Sequence, residues 1–464
     1  MERRDLLRFG LAAGALYGAG TLPRLGGVAH SMGFSALSQP VLVKLMLPGG
    51  PDLRHLLPPA FDPNPQSFGY GFWQAKASAH NLADSAAAWD TRWQTEYFQV
   101  GDGSTNFGIR NNCGWLKSMW DAGNVAIVNN VFGAATRDHA HCIRVMDQGD
   151  RLAGPNDPLT SGWGGRLAAA AGGNCIALTS SPRPFGFGPD VNDPDGIDNS
   201  NLIAAANTRN MTLAKPPAND VFGYQARITR GLESYYAAKR SEIPAGSVYR
   251  RFTELERVLR EFGEPLDERL AAVPVPASLD ALLQGGLANP GFALQLRNLY
   301  DALAANDVLM LRTASMDYGG WDSHRGQVNL IEYKLDDIFG VGRAFDVLYA
   351  ELPQDVQDNL VFVVAGEFGR QLRANGDNGT DHGVGTSVLI IGNAVNGGVY
   401  GDMFPDAELS RLGDPSPDIQ GQTHIDHVFG AVADWVTPGG GAMAFPNRAT
   451  ALLENGLDLS QLMG

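Results

Sequence analysis

Cysteine is scarce in this chain, with three in 464 residues (Cys113, Cys142 and Cys175). No CxxC pair occurs, which removes the usual spacing for a thiolate zinc site, and at most one disulfide can form. The plainest role for the three thiols is as small buried side chains. Positive charge is also short, with 35 Lys+Arg against 50 Asp+Glu and a formal net charge of -15. A surface this acidic repels phosphate backbones and anionic lipid, so general nucleic-acid binding and polybasic membrane binding are excluded. Tandem repeats and coiled-coil heptads are missing, and no apolar run is long enough for a stable membrane span. What is present is ample apolar material, 44% of residues, for a large core. Glycine is abundant, with 57 residues, and many fall in pairs such as Gly49-Gly50, Gly319-Gly320 and Gly397-Gly398. Such pairs mark tight strand-to-loop turns where backbones approach closely.

The first 29 residues read as a targeting segment. Arg3-Arg4 precedes the apolar, Gly/Ala-rich run Phe9 to Leu22, and Gly27-Val28-Ala29 offers a small-x-small cleavage site. This is the pattern of a twin-arginine export signal, which makes the twin-arginine translocase a partner and the periplasm or cell exterior the destination. Residues 30–464 then carry 31 basic and 48 acidic side chains, a net charge of −17. Export of an already folded chain suits a protein that acquires a metal before it leaves the cytoplasm.

Five β-rich runs punctuate the remainder: Val41 to Leu47, Val125 to Val131, Val308 to Met316, Leu360 to Ala365 and Ser387 to Ile391. Near-continuous apolar runs belong to a parallel sheet covered on both faces. Helical spacing appears between them at Tyr249 to Phe262, Gly291 to Ala305, Val328 to Leu352 and Ile425 to Val436. The alternation predicts an α/β fold, one domain over 30–464, with an inserted region at about 185–290. Asp190, Asp193, Asp195 and Asp198 in that region fail the spacing of a calcium loop and read as a solvated turn.

The chemistry-bearing residues cluster where the runs end. Asp52 follows the first run, Arg137-Asp138-His139-Ala140-His141 the second, Asp322-Ser323-His324 the third and Glu367-Phe368-Gly369-Arg370 the fourth, while Asp381-His382 precedes the fifth. In an open α/β sheet, ligands bind beyond the carboxyl ends of the strands. Asp52, Asp322, His324, Glu367, Asp381 and His382, with His139 or His141, therefore form a candidate metal set, and the mixture of carboxylate and imidazole suits zinc, manganese or iron better than calcium, with zinc or manganese foremost. Each has a plain alternative: Asp52 as a turn cap, Asp322 as a helix cap, Glu367 paired with Arg370, and Asp381-His382 as a polar loop. His424 and His427, with no strand run before them, read as structural.

Taken together, the twin-arginine start, Gly49-Gly50-Pro51-Asp52, Asp138-His139-Ala140-His141, Ser161-Gly162-Trp163-Gly164-Gly165-Arg166, Gly319-Gly320-Trp321-Asp322-Ser323-His324, Gly366-Glu367-Phe368-Gly369-Arg370 and Asp381-His382-Gly383 resemble an exported bacterial family of unknown function within the alkaline phosphatase and sulfatase superfamily. The resemblance implies an αβα sandwich in three layers, with a mostly parallel sheet and two adjacent metals. Asp52 falls at a first ligand of one metal, and Asp322, His324 and His382 fall near the ligands of the other. Phe368 stands where the superfamily has a histidine. His139 occupies the register of the nucleophile, where no hydroxyl is found, so it reads as a ligand or a nucleophilic imidazole. Two functions follow. One is a metal-dependent hydrolase of phosphate or sulfate esters, which uses metal-activated water and binds a small anionic ester through Arg370 or Arg137. The other is a non-catalytic exported binding or assembly protein on the same fold.

Overall fold

The computed structural model describes residues 34–101, 105–157, 160–179, 181–189, 197–198, 201–210, 224–243, 263, 265–454 and 456–464. The export segment, the helical pattern at 249–262 and Asp190, Asp193 and Asp195 lie outside them.

Among the described residues nine strands form the main sheet: β1 (Val41–Met46), β2 (Val125–Phe132), β3 (Asn174–Ala177), β4 (Leu202–Ala204), β5 (Leu311–Asp317), β6 (Leu360–Ala365), β7 (Thr386–Ile391), β8 (Gly398–Tyr400) and β9 (Thr423–His424). Their order is β8-β2-β7-β6-β1-β5-β3-β4, with β9 also paired to β2. β1 runs parallel to β5 and β6, and β3 is parallel to β4 and β5. β7 alone among these runs antiparallel, to β6 on one side and β2 on the other. The chain is thus mixed α/β with a largely parallel sheet.

Side chains alternate across that sheet as a strand requires. Val41, Val43 and Leu45 of β1 pack into one core with Phe362 of β6 and with Phe292, Leu296, Ile331 and Phe345 from the helices Pro290–Ala304, Gln327–Phe339 and Ala344–Glu351. Leu42 and Met46 face a second core with Val145, Trp163 and Phe429 from the helices His139–Gln148, Trp163–Ala170 and Ile425–Val436. Helices therefore cover both faces, which explains why the central strands read as unbroken apolar runs. A small aromatic cluster of Phe72, Trp73, Trp89, Trp93 and Tyr97 stands apart from both.

Several sequence expectations need correction. The run Val308 to Met316 is not all strand, because Asn306–Leu309 is a helical turn ended by Met310 at φ 49° before β5 begins. Val328 to Leu352 is two helices, divided at Gly340-Val341-Gly342 with Gly342 at φ 69°. β7 is antiparallel, a direction that an apolar run does not encode. The 185–290 region does not merely surround the sheet, since it supplies β4. No helix of the described residues is long and apolar enough to cross a membrane.

Candidate functional site

Met46 of β1 is in register with Asp317 of β5 and Ala365 of β6, so three loops leave the sheet at one level. They stay laced together by backbone bonds from Leu47 N–H to Ala365 O (2.9 Å), Tyr318 N–H to Met46 O (3.0 Å) and Trp321 N–H to Pro48 O (3.1 Å). Gly49, at φ 118°, has no room for a Cβ, which would lie 2.4 Å from Asp322 N. Because β7 is antiparallel, its start lies at this same edge, and that is how Asp381 and His382, which precede a strand, join residues that follow strands.

His139 opens the helix His139–Gln148, whose first turn is capped by Asp138 Oδ1 accepting from His141 N–H at 2.8 Å. That helix is fastened to the sheet by Lys44 of β1, fully buried, which donates to Asp147 at 2.7 Å and to Met146 O at 3.0 Å. The His139 ring is therefore placed by a rigid element on rigid support.

Three imidazoles converge on the Asp322 carboxylate. His382 Nε2 lies 3.0 Å from Asp322 Oδ1, His324 Nε2 3.1 Å from the same oxygen and His139 Nε2 3.6 Å from Oδ2. The two Nε2 atoms of His324 and His382 are 3.0 Å apart. Behind each ring an acceptor holds Nδ1: Glu367 Oε1 at 2.7 Å for His139, Asp381 Oδ1 at 2.8 Å for His324 and the Arg137 carbonyl at 3.0 Å for His382. A carbonyl only accepts, so His382 Nδ1 carries the proton and its neutral Nε2 presents a lone pair to the carboxylate; the other two rings take the same tautomer from their carboxylates. Lone pairs and a carboxylate crowded at about 3 Å repel unless a cation lies between them. Ligand bonds of about 2.1 Å in a tetrahedron put neighbouring donors ~3.4 Å apart, close to the separations found. His139, Asp322 and His382 offer ligand atoms that all lie within 4.8 Å of one another and can hold a metal ion. Nδ1 acceptors that fix the tautomer are the usual outer support of metal-binding histidines.

The electrostatics agree with a charged Asp322 carboxylate beside a neutral His382 ring. Burial pushes the Asp322 carboxyl up, but the hydrogen bond and the charge of Arg370 lead the effects that outweigh it and bring the pKa down to about 2. Burial, aided by the Arg370 charge, pushes the His382 imidazole down against the opposing pull of Asp322. Asp381 is lowered, first by a hydrogen bond from Asn375.

The structure divides the sequence-derived set. Asp322, His382, His324 and His139 share the cluster. Glu367 and Asp381 stand behind His139 and His324 and do not face the common centre. Glu367 is fixed by Gly49 N–H at 2.9 Å and Gly50 N–H at 3.1 Å. Asp52 is apart, its Oδ2 taken by Lys76 Nζ at 2.6 Å and Gln327 Nε2 at 2.9 Å. Arg370 cannot meet a substrate, because it is buried and its guanidinium is spent on the carbonyls of Gly49, Gly50, Trp321 and Thr380 and on Asp322. Arg137 is 37% exposed and engages Asp418 through Nη2. Sequence reasoning missed Lys76, Gln327 and Asp418. Lys76 ends an amphipathic helix and Asp418 sits in a Pro-rich loop, so neither carried a signal, whereas Gln327, three residues after His324, was within reach of one.

Residues 303–409 match a family described as a protein of unknown function (DUF1501). No curated protein matches the chain, and no solved structure matches it. The matched segment carries Asp322, His324, Glu367, Asp381 and His382, and leaves His139 outside it.

Proposed function

We propose that this chain is an exported, divalent-metal-dependent hydrolase of phosphate or sulfate esters, on an alkaline-phosphatase-like fold. The observation that carries the reading is the convergence of three Nε2 atoms on Asp322, each ring held from behind through Nδ1. His139, Asp322 and His382 would hold a zinc or manganese ion, which would supply Lewis-acid activation of water and of the ester oxygens. The chain's own residues supply the remainder. His139, Asp322 and His324 are each about 40% exposed, so a small ester has access to the cluster. Arg137, whose carbonyl orients His382, has guanidinium nitrogens beyond Nη2 with which to meet an anionic ester group. Asp381 accepts a hydrogen bond from His324 Nδ1–H and keeps that ring's Nε2 at the edge of the cluster.

The second reading, a non-catalytic exported binding or assembly protein on the same fold, is favoured by one observation: the helix start nearest the cluster carries His139 and no hydroxyl. Both readings place the protein in the periplasm or outside the cell, by way of Arg3-Arg4. One experiment separates them. Protein folded in the cytoplasm is assayed for bound zinc and manganese, then for turnover of aryl phosphate and aryl sulfate beside an Asp322→Ala control. Bound metal with turnover absent from the control supports the hydrolase. Bound metal without turnover supports the binding protein, and no metal under any supplementation removes the hydrolase.

A further inference from the structure

Asp52 lies at the same sheet edge as the His139–Asp322–His382 cluster, yet it already holds a cation belonging to the chain. Lys76, the last residue of the helix Phe68–Lys76, is fully buried with Nζ 2.6 Å from Asp52 Oδ2. Gln327 donates to that oxygen at 2.9 Å, and its Oε1 accepts from Thr380 Oγ1 at 2.7 Å and Ser323 Oγ at 3.1 Å. Ser323 separates Asp322 from His324, and Thr380 precedes Asp381 and His382, so one buried polar chain ties Asp52 to both loops that bear the cluster.

We propose that Lys76 is a resident cation that keeps Asp52 out of metal coordination, so the site takes a single divalent ion at His139, Asp322 and His382. The proposal rests on the metal reading given above. An ammonium and a divalent ion compete for one carboxylate, and in a buried position two cations on it would repel strongly. The ammonium has the advantage of being tethered. His55, the nearest imidazole along the chain, turns its Nε2 to Glu332 at 2.7 Å, and Phe368 presents a ring without donor atoms beside His139 and His382, its centroid 4.8 and 4.5 Å from theirs. Asp52 with Lys76 is thus an ion pair internal to the fold, not a ligand.

The test counts ions in the full chain, stripped by chelator and titrated with zinc or manganese, with bound metal measured by mass spectrometry. Wild type should hold one ion per chain. The double variant Asp52→Asn, Lys76→Met removes both charges together and should hold the same single ion with affinity within about threefold, since neither group touches it. Lys76→Met alone strands a buried carboxylate; it should take up a second, weaker manganese ion, and its Tm should rise with millimolar manganese where that of the wild type has already levelled off. Two ions in the wild type, or more than about a tenfold loss of affinity in the double variant, would overturn the proposal. If Lys76→Met does not fold, the wild-type count and the double variant decide. No ion in the wild type, with Asp322→Ala indistinguishable from it, refutes the metal reading itself.

Discussion

Glu367 Oε1 and His139 Nδ1 are 2.7 Å apart, and the same carboxylate is gripped by the N–H groups of Gly49 and Gly50. A residue leaving β6 therefore fixes the ring of a residue that follows β2, through a turn that follows β1. The contact sets the His139 tautomer and aims its Nε2 at Asp322. It also gives the tight Gly49-Gly50 turn a purpose. A side chain at either position would meet backbone or ring atoms at about 2.5 Å and push the two N–H groups away from the carboxylate.

Glu367→Gln tests this relationship. The amide has one acceptor oxygen where the carboxylate has two, so it cannot serve both backbone N–H groups and the His139 N–H, and its NH2 meets donors. Metal affinity by calorimetry should fall by about 10- to 100-fold while Asp322 and His382 remain in place. Unchanged affinity would mean that the ring is held by its helix alone.

The pH dependence of stability should carry the mark of Asp426. This residue sits in the first turn of the helix Ile425–Val436, fully buried, with neither carboxylate oxygen hydrogen-bonded. Burial raises its pKa from 3.8 to about 7, against the lowering charges of Arg151 and Arg166. Between those values the folded chain binds a proton that the unfolded chain has released, so stability falls as pH rises from about 4 to about 7. Asp426→Asn cannot ionise and should remove that slope. Urea unfolding at pH 5 and pH 8 should show the variant gaining on the wild type at the higher pH, by about 2–3 kcal/mol, since about two pH units of the shift lie between them. An equal difference at both pH values would refute the assignment.

The thiols should be silent. Cys113, Cys142 and Cys175 are all buried and free, and burial raises each thiol, Cys142 and Cys175 to about 12. The thiolate is the reactive form. A colorimetric thiol reagent should count none in the native chain and three after denaturation, and the Tm should be the same with and without reductant. Rapid labelling of the native chain would contradict the burial of at least one.

Much of this site was readable from sequence because its residues sit beside apolar runs that physics obliges to be strands. β6 and the helix Ile425–Val436 have the bounds their patterns give. Asp322, His324 and His382 drew notice because carboxylate and imidazole recur after such runs. The roles within the set were not readable, because they depend on partners far along the chain. Asp52 read as a ligand until Lys76 met it from another helix. Glu367 and Asp381 lie one layer behind the cluster, a distinction made by Gly49 and Gly50 for one and by His324 for the other. Arg370 read as a substrate contact because a guanidinium near carboxylates has two uses, and only its burial among carbonyls selects the structural one. The direction of β7 was equally hidden, since an apolar strand pairs either way.

Asp322 is the point on which the site turns, and its replacement must be chosen so that two effects come apart. Its Oδ1 accepts from Arg370 Nη2 at 2.6 Å while facing His324 and His382, so the residue both neutralises a buried guanidinium and anchors the candidate ion. Asp322→Ala removes both functions, and the loss of the charged hydrogen bond to Arg370, whose guanidinium keeps its four carbonyl partners, should cost about 2–3 kcal/mol in urea unfolding. Asp322→Asn keeps an acceptor for Arg370 and most of the shape, so the stability loss should be smaller, about 1–2 kcal/mol. The amide is a poor ligand for zinc or manganese, and metal affinity should still fall by more than about 100-fold. His427→Ala, in contrast, lies outside the cluster, where His427 Nε2 donates to Leu457 O at 2.7 Å, and should leave metal binding unchanged. If Asp322→Asn bound metal as tightly as the wild type, the convergence of three rings on this carboxylate would be an ion-pair network of the fold, and the metal reading would fall.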